Sequence, residues 1–251
     1  MGLFRKNRNS DLEKWNAKTM FGPNMSFAVA EAYKLLRTNI MFSFPDEGRG
    51  HVIGITSPIQ AEGKSSTACN TAYAIAEAGA KVLLLDADLR RPSVATKLGL
   101  ARAPGLTNLL VSKGDYREMI QHCPVAPNLH VITSGDVPPN PSELLTSRRM
   151  EKLIQELTEY YDYVIMDLPP VAVVSDAIAA SKFLDGIAMV VRSGVSDRRI
   201  LNEALRQLKL VNVRILGFVF RDAAPGGRRN RNAYDRKYQK ICSDYNKKAQ
   251  G

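Results

Sequence analysis

A chain of 251 residues with 45% hydrophobic and 24% charged side chains has the composition of ordinary soluble proteins. It is long enough for one large α/β core, and it holds no run near the roughly 18 apolar residues of a spanning helix. Its net charge of +10 gathers at the ends, +3 in residues 1–18 and +6 in residues 228–251. The nearly neutral body excludes a nucleic-acid groove, which needs a basic face on the folded domain, whereas basic ends suit an anionic membrane surface or an acidic partner.

Residues 1–25 are polar, basic and interrupted by Gly22-Pro23, so they read as a mobile arm. No signal peptide is read at the start, so the chain is expected in the cytoplasm. Met1-Gly2 does not begin an acylation signal, because Lys6 stands where Ser or Thr is needed. Ser26 is a candidate cap for a helix from Phe27 to about Phe42, with Val29, Ala32, Leu36 and Ile40 as its apolar stripe. Glu31, Lys34 and Arg37 recur every three residues and spread over about 120° of one face, as a solvated surface does.

The next stretch organises the rest. Val52 to Thr56 is an apolar, β-branched run that reads as a buried strand, and after Lys64 the small residues Ala68, Ala72 and Ala76 sit at helical spacing. Ser57 to Gly63 therefore joins a strand end to a helix start, where unpaired amides and the positive end of the helix dipole suit phosphates. In such a loop Lys64 reaches the β and γ phosphates of a nucleotide and the Ser65 hydroxyl ligates Mg²⁺. Pro58 stands where the usual pattern opens with glycine, so Gly63-Lys64-Ser65 alone equally describes a plain turn with an exposed lysine. Two acidic motifs downstream decide for the nucleotide site.

The first follows Gly79, a helix stop, and the strand Val82 to Leu85, which ends in Asp86-Ala87-Asp88-Leu89-Arg90-Arg91-Pro92. In a parallel sheet, ligands collect at strand carboxyl ends, so this pair would sit beside the loop, holding Mg²⁺ through water or taking a proton from an attacking hydroxyl. Residues 99–128 are broken by Gly105, Gly114, Pro124 and Pro127 around an apolar Leu106 to Val111 segment. A third strand, Leu129 to Ile132, leads to a turn-rich stretch, a capping box from Ser142 to Leu145 and a helix from Arg148 to Tyr161 with Leu153, Ile154 and Leu157 inward. The fourth strand, Tyr163 to Asp167, ends in the second acidic motif, and Asp167 fits a Mg²⁺-associated acid held through water opposite Ser65. Strands at Ile187–Val191 and Ile215–Phe220 flank a helix from about Asp197 to Leu210, with Ile200, Leu201, Ala204, Leu205 and Leu208 inward and Arg198 and Arg199 solvated. Six apolar strands alternating with helices argue for a mostly parallel sheet covered on both faces. Cys69, Cys123 and Cys242 form no C-x-x-C pair and are expected reduced. The folded domain is expected over 26–224. From Pro225 the apolar pattern stops and 225–251 reads as a disordered basic tail carrying Tyr234, Tyr238 and Tyr245.

Ala61-Glu62-Gly63-Lys64-Ser65-Ser66, the strand ending in Asp86-Ala87-Asp88-Leu89-Arg90, the strand ending in Asp167-Leu168-Pro169-Pro170, Pro139-Asn140-Pro141-Ser142-Glu143-Leu144-Leu145 and a tyrosine-bearing tail together resemble the bacterial protein-tyrosine kinases over about residues 26–245. The resemblance implies a P-loop NTPase fold of the partition-ATPase type, with MgATP as phosphoryl donor and the tail tyrosines of a neighbouring subunit as acceptors. It assigns Lys64, Asp86 and Asp88 to catalysis, Ala61 to Ser66 and Arg221 to ATP, and Ser65, Asp88 and Asp167 to the metal. Glu31-Ala32-Tyr33-Lys34-Leu35-Leu36-Arg37 is similar to that family's ring-forming helix, with Lys34 in place of its middle arginine, and Arg221 stands where relatives place an adenine-facing asparagine. Implied partners are a separate transmembrane activator, through which the chain is peripheral to the membrane, further copies of itself and a tyrosine phosphatase; the implied role is control of exopolysaccharide or capsule export. The tail's charge suggests docking on a neighbour's acidic active site, weakened once phosphotyrosines cancel it. Two other readings stay open. A partition or septum-positioning ATPase would carry an extra lysine near the loop start, where this chain has Ile59, and a nucleotide-dependent scaffold would bind its partner without catalysis.

Overall fold

The computed structural model describes residues 25, 27–45, 48–112, 114–123 and 126–221; the N-terminal arm, the Ser26 cap, and the tail with Tyr234, Tyr238 and Tyr245 lie outside the described residues. Seven strands form one sheet in the order β3-β4-β2-β5-β1-β6-β7. They are β1 (His51–Thr56), β2 (Val82–Asp86), β3 (Gln121–His122), β4 (Leu129–Ile132), β5 (Tyr163–Asp167), β6 (Gly186–Arg192) and β7 (Ile215–Arg221). All neighbours run parallel except β3, which pairs antiparallel with β4 through Gln121↔Val131 and His122↔His130. The six expected strands are present. The seventh, two residues long, is too short to leave a periodic trace in sequence.

The strands alternate between two cores, which is why they read as continuous apolar runs. On one face Val52, Leu83, Leu85, Val164 and Met166 pack with α6 (Arg148–Tyr160) and α8 (Arg198–Leu210). On the other, Ile53, Ile55, Val82, Leu84 and Ile165 pack with α2 (Lys64–Glu77) through Ala68, Cys69, Ala72, Ile75 and Ala76. The small residues let this helix lie close to the sheet. It stops where Ala78 and Gly79 donate to Ile75 O and Ala76 O, with Gly79 at φ 98°.

Shorter helices sit at the connections: α3 (Val94–Leu98), α4 (Leu106–Val111), α5 (Pro141–Thr146) and α7 (Asp176–Ala180). The α5 helix begins at Pro141, one residue before the expected capping box, with Asn140 at the cap. The Asn140 amide bonds Glu143 (2.6 Å), while Ser142 spends its hydroxyl on Asp176. The α8 helix starts at Arg198, where the Asp197 side chain accepts from the Arg199 amide (2.6 Å); Ile200 is exposed, not inward, and Ala204 and Leu208 carry the packing. The first helix, α1 (Phe27–Phe42), has the expected span, but its stripe is corrected. Ile40 is buried, Leu36 is partly buried, and Ala32 is exposed. Leu35 and Phe42 are 62% and 86% exposed.

Candidate functional site

Register decides where the chemistry collects. Asp167 pairs with Ile55 of β1 and with Asp86 of β2, so three strands end level, each leading to one motif. Past its last strand residue β5 follows the loop: Leu168 N donates to Ile55 O, Val171 N to Ser57 O and Ala172 N to Pro58 O. The Thr56 hydroxyl adds a bond to Pro169 O (2.6 Å). The phosphate loop is thereby fixed before any ligand arrives. Its turn needs positive φ at Ala61 (63°) and Gly63 (92°), after which the first amides of α2 face outward.

Five of the residues predicted for the site converge here. Lys64 Nζ lies 2.6 Å from Asp88 Oδ2 and 3.3 Å from Asp167 Oδ1, and donates to Ser65 Oγ (3.2 Å). Asp88 Oδ1 accepts from the Arg91 amide (3.0 Å) and Asp86 Oδ2 from the Val94 amide (3.2 Å). Burial would lower the Lys64 ammonium, but the Asp167, Asp88 and Asp86 carboxylates outweigh it and hold its pKa up. Burial and the neighbouring Asp167 push Asp86 up to about 8, with Lys64 and the Val94 amide pulling the other way. Burial also raises Asp167, against the pull of Lys64 and the Ser65 hydroxyl. Asp86 Oδ1 and Asp167 Oδ2 are buried without a hydrogen-bond partner. Such oxygens cost free energy unless water or a cation reaches them. With the Ser65 hydroxyl they are hard oxygen donors of the kind Mg²⁺ takes, directly or through water. Among the described residues no cluster of three or more His, Cys, Asp or Glu could hold a metal by itself, so an ion here would draw on water and phosphate oxygens.

A cleft of about 460 Å³ opens above this cluster, floored by Gly63, Lys64, Ser65 and Ser66. Asp88, Arg90, Arg91 and Lys97 form one wall and Pro169, Pro170, Val173 and Val174 the other. The wall is basic, not acidic as the tail-docking expectation required. Asp88 faces the cleft while Asp86 and Asp167 lie beneath it, fully buried. Both oxygens of Asp88 are engaged, one by the Arg91 amide and one by Lys64.

The other predicted residues are placed differently. The Glu62 carboxylate is buried against the Ser196 hydroxyl and does not line the cleft; burial raises it, outweighing the Ser196 bond and the Ile59 amide. Only its backbone belongs to the loop. Arg221, at the end of β7, donates to Gly63 O (3.2 Å) and lies where a Cβ on Gly63 would stand, 1.8 Å from Arg221 Nη1. Glu31 and Lys34 pair with each other (2.8 Å), and Arg37 donates to Ala74 O of α2 (3.0 Å). Sequence reasoning gave no role to Asp176, a buried carboxylate that holds the Arg90 guanidinium at 2.7 and 3.1 Å and takes the Ser142 hydroxyl. Ser142 lies in the Pro-Asn-Pro-Ser-Glu-Leu-Leu motif, which was the available signal.

Comparison with known proteins places this geometry among relatives. Residues 51–184 match the AAA domain family. The chain is 39% identical over 215 residues to the tyrosine-protein kinase YwqD of Bacillus subtilis, covering 86% of this chain and 89% of that one. The kinase domain of Escherichia coli tyrosine kinase ETK superposes with a TM-score of 0.72 at 32% identity, over 78% of each chain. The septum site-determining protein MinD of Pyrococcus horikoshii, complexed with Mg-ADP, superposes with a TM-score of 0.60 at 22% identity over 70% of this chain and 71% of that one, a likeness of fold.

Proposed function

The chain belongs to the bacterial tyrosine-protein kinases, and from that premise we propose that it transfers the γ-phosphoryl group of MgATP to Tyr234, Tyr238 and Tyr245 in the tail of a neighbouring copy. The observation that carries the reading is the Lys64 ammonium clasped by Asp88 and Asp167 at the level ends of three strands, beside two buried carboxylate oxygens without partners.

In the resting chain Lys64 is spent on carboxylates. Nucleotide phosphates entering above the α2 amides compete for it, and Lys64 turns from Asp88 to the β and γ oxygens, where charge develops during transfer. Asp88 Oδ2, released by that turn and facing the cleft, orients the incoming phenol and accepts its proton. A free phenol has a pKa near 10, so a placed carboxylate helps at neutral pH. The phenolic oxygen bonds to the γ phosphorus as the bond to the β–γ bridging oxygen breaks, leaving ADP and phosphotyrosine. Asp86 stays beneath, held by the Val94 amide. Ser65, and Asp167 through water, would hold Mg²⁺, which would supply neutralisation of phosphate charge. Arg221, packed on Gly63, takes the place beside the base, and Ala61 to Ser66 lend backbone amides.

The partition-ATPase reading is disfavoured by Ile59 in place of the extra lysine. We further place the chain at the inner face of the membrane through a transmembrane activator. Among the described residues no helix is long and apolar enough to cross a membrane. A ring of copies would cover the exposed Leu35 side of α1 and engage Glu31, Lys34 and Arg37, a cognate phosphatase would reset the tail, and the output would be exopolysaccharide or capsule synthesis. The test is incubation with MgATP, with and without an activator peptide, read by anti-phosphotyrosine blot and mass mapping of the three tyrosines. Phosphotyrosine that needs Lys64 is expected; hydrolysis of ATP without phosphotyrosine would return the reading to a partition-type ATPase.

A further inference from the structure

The wall of the cleft carries three cations, Arg90, Arg91 and Lys97, and they are not equivalent. Arg90 is neutralised by its two-point pair with the buried Asp176. The Arg91 guanidinium bonds the neutral side-chain amide of Gln60 (2.6 Å) and is exposed. Its backbone amide holds Asp88 Oδ1 at 3.0 Å, the same carboxylate whose other oxygen contacts Lys64 at 2.6 Å. A group bound to Arg91 is therefore placed by the element that places the proton acceptor.

The tail supplies such a group. Residues 228–251 are strongly basic, and their two acids, Asp235 and Asp244, each stand directly beside a tyrosine, Tyr234 and Tyr245; Tyr238 lies between Lys237 and Gln239. A basic tail meeting a basic wall is repelled except where a carboxylate intervenes, and a guanidinium receives a carboxylate with two parallel donors.

We propose that Arg91 is a specificity-determining residue that binds the aspartate flanking the acceptor tyrosine, so that tyrosines next to an acid are modified before tyrosines next to a lysine. This rests on the tail being the acceptor.

The experiment is a time course of the full chain with MgATP and activator peptide, with the initial rate at each tail tyrosine read by mass mapping. Tyr234 and Tyr245 are expected to label about tenfold faster than Tyr238, a difference of about 1.4 kcal/mol. Asp235→Asn should bring Tyr234 down to the rate of Tyr238 and leave Tyr245 ahead. Arg91→Gln should bring the three rates together, and Arg91→Lys, which keeps the charge but loses the fork, should restore part of the order. These are ratios within one chain, so a general loss of activity does not mimic them. Equal rates in the parent overturn the proposal while leaving the kinase reading intact. An Arg91→Gln chain that slows all three tyrosines alike and keeps their order also overturns it, and would make Arg91 a nucleotide contact. No label at any tyrosine in the parent overturns the tail-acceptor reading, and the proposal falls with it.

Discussion

At the amino end of the sheet, Arg49 donates to both oxygens of Asp185 (3.2 and 2.6 Å), and Asp185 also accepts from the Val52 amide (2.7 Å). Arg49 and Asp185 complement each other there. At the carboxyl end one lysine serves three carboxylates, and Asp86 and Asp167 each keep a buried oxygen without a partner. Both ends cap the same strands, so the difference is not one of fold. The amino end is finished by folding, whereas the carboxyl end is left to be finished by what it binds, a local cost that persists where function needs it.

Removing the lysine breaks the contrast most completely. Lys64→Met should lower tail phosphorylation at least about a hundredfold, as loss of a positioned charge does, while far-UV circular dichroism stays that of the parent. Gly63→Ala comes next. It combines a strained left-handed φ with a collision against Arg221, and should weaken nucleotide binding by about tenfold or more in a fluorescent-nucleotide titration. Adding Arg221→Ala should return part of that loss, since it removes the collision but not the strain.

The amino end answers with stability. Burial would raise Asp185, but the Arg49 pair, the Val52 amide and His51 outweigh it and hold its carboxyl below the ordinary range. Its contribution is therefore complete above the unfolded value near 3.9 and is lost as pH falls through the lower folded value. Asp185→Asn should cost about 1–2 kcal/mol at pH 7 in urea unfolding, with the two chains converging toward pH 3. The smallest effect has the opposite sign. Asp167 is raised in the folded chain, so its ionised form opposes folding. Asp167→Asn should raise Tm by a few degrees, more at pH 9 than at pH 6, while phosphotyrosine disappears; a lower Tm would place the two ends in one class after all.

Much of this was legible in the chain. The six longer strands announced themselves as apolar runs, and the site followed because parallel strands deliver their carboxyl ends to one edge, so that Lys64, Asp86, Asp88 and Asp167 met without sharing a local segment. What escaped depends on direction and distance. Glu62 sits inside the loop motif, yet its side chain turns to Ser196, 134 residues away. Asp176 becomes a partner of Arg90 only once α5 and α7 pack together. Ala32 and Ile200 fit helical stripes, but each stripe is wider than the surface available to cover it. Periodicity reports which face is apolar and not how far the cover extends.

Arg221 closes the last strand with its guanidinium on the carbonyl of Gly63. Tyr234 lies thirteen positions further along the chain, a reach of at most about 45 Å. The segment proposed as acceptor therefore begins at a residue bonded to the nucleotide loop itself. Any shift of the loop as nucleotide loads and departs is felt at that one joint, so the site that would serve a neighbour's tail is coupled to the root of the chain's own.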